Sequence, residues 1–200
     1  FFLFFELFIL NMESPSPFQI QQFKIPTESS VFGCSLLDHP QALQAARHAV
    51  DDLRERFPEA TPSNVKAVYM SPWKSHHLTA DLAPLIHLVA DKIKSATLSF
   101  LGVDLDQLEY DLRVADCWVA VYEQSDHTVA HTHFPSDFSA VIYLEMEEQS
   151  SPIVFENSFA VSPASGSLVF FPGNLSHHVP ATQGRRIIAV INYIKIPKIH

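Results

Sequence analysis

The stretch His131-Thr132-His133-Phe134-Pro135-Ser136-Asp137 places two imidazoles and a carboxylate within a short run of chain. It closes an alternating segment, Val129 to His133, that reads as a strand, and residues two apart on a strand point to the same side. His131 and His133 can therefore converge on one point, with Asp137 brought alongside by the Pro-containing turn. Imidazole nitrogen and carboxylate oxygen are transition-metal donors, so the cluster reads as metal-binding; the plainer reading is a set of surface or hydrogen-bonded histidines. A second pair, His177-His178, follows Gly166 to Asn174, a strand that ends in a Pro-Gly turn. There His177 can open a neighbouring antiparallel strand and supply a distal ligand, while His178 points the other way. Arg186 then opens a run to Asn192 whose alternation puts Arg186, Ile188, Val190 and Asn192 on one face. An arginine on an inward face is costly unless paired. Its natural partner is a ligand carboxylate matched to the guanidinium fork, the alternative being a salt bridge to one of the 22 acidic residues.

These side chains need elements to hold them. Leu43, Ala46, Val50, Leu53 and Phe57 recur at helical steps from Gln41 to Phe57, with Asp38 and Pro40 placed to start that helix. A second helix is expected from about Ala80 to Phe100, its apolar face formed by Leu82, Leu85, Val89, Ile93, Ala96 and Phe100, with Gly102 just beyond its end. Val65 to Met70 reads as a short strand. After residue 108 the period becomes strand-like, with strands expected at Tyr110–Tyr122, Val129–His133, Phe138–Glu145, Ile153–Phe155, Phe159–Val161, Ser167–Phe171, His178–Pro180 and Arg185–Ile196. Short strands at this spacing after two helices predict a mainly β, α+β chain: a double-sheet jelly roll with the two helices packed outside one sheet.

The 200 residues suit one domain with a sizeable core. A composition of 47% hydrophobic and 18% charged residues excludes a disordered chain. A net charge of -9 without a Lys/Arg cluster argues against nucleic acid and anionic membrane surfaces as partners. Cys34 and Cys117 stand in no metal-like spacing and make no disulfide framework, which fits a reducing, cytoplasmic setting. The opening FFLFFELFIL is about half of what a bilayer span needs and lacks the basic start and cleavage site of a secretory signal. Residues 1–30 are therefore read as a hydrophobic appendage and lead-in segment, with an edge strand around Phe18 to Ile25, and residues 31–200 as the folded domain.

Several separated motifs occur in a recognisable order: Tyr122, His131-x-His133, Ser139 to Leu144, Gly166 to Pro172, Leu175-x-His177-x-Val179 and Arg186. In this the chain resembles the Fe(II)/2-oxoglutarate-dependent oxygenases, in particular a group related to the prolyl 4-hydroxylases. The resemblance runs from about Tyr69 to Tyr193 and takes in Trp73-Lys74-Ser75 and Trp118-Val119. It implies a double-stranded β-helix fold, with His131 as first metal ligand, His177 as distal ligand and Arg186 gripping the distal carboxylate of 2-oxoglutarate. Tyr143 stands where the prolyl hydroxylases share that carboxylate with a tyrosine, and Tyr122 where a strand tyrosine borders the oxoacid end. The implied activity is a dioxygenase that hydroxylates a small-molecule or peptide substrate, releasing succinate and carbon dioxide.

The sequence departs from the family in three places. The wider superfamily has a carboxylate where His133 stands, and the related group often has Ser at the position of Ile188 and Gly at that of Ala140. The third ligand is thus His133 or Asp137, with His133 favoured because the strand sets its spacing. Two histidines and one further ligand on one face of Fe(II) leave room for a bidentate 2-oxoacid and dioxygen. A cupin-like metal protein that does not use 2-oxoglutarate is the alternative, and Arg186 discriminates, since a cupin has no standing need for an inward arginine there. Away from these motifs, His76-His77, His127 and Asp126 read as solvated loop residues. Glu145 to Glu148 reads as a solvated strand end or a selector of basic substrates.

Overall fold

The computed structural model describes residues 28–198. The segment 1–27, including the edge strand expected around Phe18 to Ile25, lies outside the described residues. The described chain opens with strand β1 (Phe32–Ser35), followed by helix α1 (Pro40–Arg56), the short strands β2 (Val65–Lys66) and β3 (Tyr69–Met70), and helix α2 (Ala83–Leu101). The rest is strand: β4 (Tyr110–Tyr122), β5 (His127–His131), β6 (Phe138–Met146), β7 (Ile153–Phe155), β8 (Phe159–Val161), β9 (Ser167–Pro172), β10 (His177–Val179) and β11 (Arg186–Pro197).

The strands form two antiparallel sheets, one in the order β1-β9-β6-β11-β4-β3 and a smaller one in the order β2-β5-β10-β7-β8. Two apolar layers follow. Ala46, Val50 and Leu53 of α1 and Leu85, Val89 and Ile93 of α2 pack on the outer face of the larger sheet against Val119, Val121, Ile142 and Ala189. Between the sheets lies a second core of Trp118, Tyr122, Val141, Tyr143, Phe155, Phe171, Ile188 and Val190. Strand β11 serves both: Ile187, Ala189, Ile191 and Tyr193 face the helices, while Ile188 and Val190 face the smaller sheet. Its unbroken apolar run is what burial on two faces requires. The Tyr193 hydroxyl donates to the Ile86 carbonyl of α2 at 2.7 Å and pins the helix layer to the sheet.

Pro40 begins α1 as expected, but the cap is His39 rather than Asp38, with no side-chain hydrogen bond. Gly102 ends α2 in the left-handed region at φ 66°, the usual helix stop. Phe100 leaves the expected buried face and stands exposed, its ring 5.8 Å from that of Phe32. The single strand expected over Val65 to Met70 is two strands in different sheets. The chain crosses between sheets at Val68, whose N–H donates to the Asp126 carboxylate at 2.8 Å. Strand β1 carried no signal strong enough to be read, and it adds an edge by pairing with β9.

The turn after β9 is tied to the turn after β5. His133 N–H donates to the Gly173 carbonyl at 2.6 Å, and Gly173 N–H donates to the Asp137 carbonyl at 3.0 Å. A Cβ on Gly173 would lie 2.1 Å from the Ser136 carbonyl oxygen, so only glycine permits this approach. Gly173→Ala is expected to cost about 1–3 kcal/mol by forcing two backbones apart. Thermal unfolding should show a Tm lowered by several degrees; an unchanged Tm would mean that the two turns are not locked together.

Candidate metal centre

Strands β5 and β10 pair so that His131 lies directly opposite His177. Neighbours across an antiparallel pair share a face, which brings the two rings to 4.3 Å between centroids. His133 reaches the same point by a different route from the one the sequence suggests. Strand β5 ends at His131, and His133 stands in the following turn, held by its bond to Gly173. Its ring lies 4.9 Å from that of His131 and 5.0 Å from that of His177. One ligand atom from each of the three falls within 4.8 Å of the others, a donor set able to hold a metal ion. Phe171 closes on His177 at 4.7 Å and Trp118 on His133 at 5.8 Å, so the cluster has an aromatic wall.

Local hydrogen bonds orient two of the rings. His131 Nδ1 lies 2.8 Å from the Val129 carbonyl and His177 Nδ1 3.2 Å from the Leu175 carbonyl. A carbonyl can only accept, so each Nδ1 carries the proton and each Nε2 keeps a free lone pair, the arrangement of a metal-ready histidine. Burial lowers all three imidazole pKa values, with repulsion from neighbouring histidines adding to it at His177, which falls to about 4, and at His133, which falls to about 2. At neutral pH the rings are uncharged and able to donate. Asp137 does not join them. Its carboxylate accepts from the Lys195 backbone N–H at 2.7 Å and pairs with Lys195 Nζ at 3.2 Å, which commits it to β11.

Arg186 opens β11 on the inward face and is only 1% exposed. The guanidinium carbon lies 3.9 Å from the centroid of the Tyr122 ring, and Nη1 donates to the Ser151 carbonyl at 3.2 Å. Nε and Nη2 are buried with no partner, and no carboxylate among the described residues forms an ion pair with the group. A salt bridge within the chain is therefore not what holds this charge. The Tyr122 hydroxyl is engaged with Thr128 Oγ1 at 2.7 Å. Burial raises the Tyr143 hydroxyl well above its ordinary pKa, partly offset by Arg186, so it stays protonated and able to donate. One pocket is lined by the three histidines, Arg186, Tyr122 and Tyr143 together with Val141, Ile188 and Val190.

The remaining candidates lie elsewhere. His76 and His77 stack at 4.0 Å beside α2, and His178 lines an outer groove with Pro180. Asp126 is a structural acceptor for two backbone N–H groups. Glu145 is bound by Arg47 and Arg185, so the acidic run is internally paired at that residue and offers little to a basic substrate. The sequence reading missed the contact of Asn192 Nδ2 with His133 Nδ1 at 3.3 Å. Its signal was visible, since Asn192 is a polar residue ending an otherwise aliphatic inward face.

Solved structures share this architecture. A prolyl-4-hydroxylase from Pseudomonas putida superposes with a TM-score of 0.58 at 16% identity, covering 83% of this chain and 92% of its own. The chain shares its fold, a double-stranded β-helix. SnoK, a non-heme alpha ketoglutarate dependent carbocyclase from nogalamycin biosynthesis, gives a TM-score of 0.63 at 15% identity over 86% of this chain and 83% of its own. A Trichoplax adhaerens prolyl hydroxylase, solved with a hypoxia inducible factor peptide fragment, gives 0.56 at 14% over 82% and 83%. No protein-family model and no curated sequence matches the chain. Among the described residues no helix is long and apolar enough to cross a membrane.

Buried neutral imidazoles make a fold acid-sensitive. Below the unfolded histidine pKa of about 6.5 the unfolded state gains a proton at His177 that the folded state refuses until about pH 4, so stability falls as pH drops through that window. In metal-free protein, His177→Phe should flatten the stability profile between those limits by up to about 1.4 kcal/mol per pH unit. Denaturant titrations at stepped pH would measure this; parallel profiles for variant and parent would mean that His177 titrates normally.

Proposed function

We propose that the chain is an Fe(II)- and 2-oxoglutarate-dependent dioxygenase that hydroxylates a peptidyl residue or a small molecule. The observation that carries this reading is Arg186, a fully buried guanidinium with two unpartnered nitrogens in the cavity that the three histidines line. Burying such a charge without a counter-charge costs several kcal/mol, and a guanidinium cannot shed its proton to escape the cost. A dicarboxylate with one end on Arg186 and the other on the histidine centre relieves it.

The donors fit Fe(II). His131, His133 and His177 would occupy one face of the ion and leave its other positions for the oxoacid and dioxygen. Arg186 Nε and Nη2 would receive the distal carboxylate as a fork, with Tyr143 donating its hydroxyl hydrogen to the same group. Tyr122 has a different part: its hydroxyl is held by Thr128, and its ring carries the guanidinium. Ile188, Val190 and Val141 exclude water along the path. As the resemblance implies, the bound iron supplies the oxygen chemistry, in which 2-oxoglutarate loses carbon dioxide to become succinate while the substrate gains a hydroxyl. A cupin-like protein would share the histidines, but it leaves the buried arginine unexplained.

Anaerobic addition of 2-oxoglutarate to the Fe(II)-loaded protein should produce a visible charge-transfer band, and its absence would favour the cupin-like reading. Arg186→Met should weaken 2-oxoglutarate binding by about 2–5 kcal/mol while iron still binds; equal binding by the variant would remove the cosubstrate assignment. For the metal, calorimetry should show His133→Ala and His177→Ala losing iron while Asp137→Ala and His178→Ala keep most of it. Loss in Asp137→Ala with retention in His133→Ala would restore a two-histidine, one-carboxylate site.

A further inference from the structure

Each of the three histidines needs its Nδ1 proton taken by an acceptor if Nε2 is to face a metal. For His131 and His177 the acceptor is a backbone carbonyl two residues earlier in the chain. His133 has no such carbonyl. Its Nδ1 has Asn192 alone, whose Nδ2 lies 3.3 Å away while Oδ1 is buried with no partner. In that orientation the amide donates to Nδ1, and the ring proton is driven to Nε2, where it would block a metal. A half-turn of the amide exchanges oxygen and nitrogen without changing its shape. Oδ1 then accepts the Nδ1 proton of His133 and the Nε2 lone pair is released, while Nδ2 takes the position in which Oδ1 had no partner.

Both ends of this contact are fixed by the fold. Asn192 sits on β11 opposite Asp116 of β4 and Ser139 of β6, and His133 is anchored through Gly173. We propose that Asn192 is the positioning residue of the third ligand, its amide oxygen doing for His133 what the Val129 and Leu175 carbonyls do for the other two histidines. The proposal rests on the metal reading above and deepens it. It also accounts for a polar residue, 4% exposed, at the end of an aliphatic strand face.

The test uses Co(II), whose visible spectrum reports coordination without turnover. Asn192→Leu should weaken Co(II) binding about 10- to 100-fold, the usual effect of removing an outer-shell acceptor. Asn192→Asp, which keeps an acceptor oxygen, should bind within a few-fold of the parent and with the parent's spectrum. Equal binding by the leucine variant, or equal losses in both variants, would overturn the proposal while leaving the metal reading intact. A parent that binds no Co(II) would sink the metal reading instead. A measurement on the parent covers the case of a leucine variant that fails to fold. Long-range proton–nitrogen correlations of the Zn(II)-loaded protein should show His133 protonated at Nδ1 and liganded through Nε2, and a proton on Nε2 would refute the assignment.

Discussion

A guanidinium that cannot be neutralised is sealed between two sheets with one carbonyl and one aromatic face for company. Everything around it is arranged to keep it there and to leave part of it unanswered. Tyr122 supports it from β4 through the ring contact, Thr128 ties the Tyr122 hydroxyl to β5, and Ser151 closes one side from the loop before β7. Two of its nitrogens, Nε and Nη2, are left over. A buried polar group without a partner is expensive, and in the proposed site the ligand is what completes it. The same physics makes the ligand a contributor to stability, because whatever binds the folded chain alone draws the folding equilibrium with it.

The histidine centre is built on the opposite principle. Its three rings carry no charge at neutral pH, no carboxylate among the described residues joins them, and the nearby Asp137 is paired with Lys195. In the proposed site, all of the metal's positive charge would therefore meet the incoming dicarboxylate, along with that of Arg186. With that metal in place the cavity would offer positive charge at both ends and apolar walls between them, a field that favours a doubly anionic ligand over a neutral one.

Much of this was readable in the residues. His177 against His178 followed from strand alternation, and the inward face of β11 from its period, because burial on two faces leaves only the phase to decide. The exclusion of Asp137 was not readable, since it depends on Lys195, nearly sixty positions away in sequence and adjacent only after folding. His133 was placed correctly in space by a wrong argument. It was expected on the strand, yet the strand stops at His131 and a bond to Gly173 brings the ring in. The contact of Asn192 with His133 escaped for the same reason: strand patterning predicts which way a residue faces but not what stands opposite it across a cavity.

Arg186 and Asn192 share one strand, so β11 sets the separation between the two ends of the cavity. Without a further bulge, that strand can be lengthened or shortened between them only by two residues at a time, or roughly 6–7 Å. A change of one residue would exchange its faces, sending the polar side chains into the helix layer and aliphatic ones into the cavity. An aliphatic diacid, by contrast, changes length by little more than an ångström per carbon. In the proposed site the chain is thus a coarse gauge and the ligand a fine one, and selection among diacids of different length would fall to side chains such as Ile188 and Tyr143 along the wall.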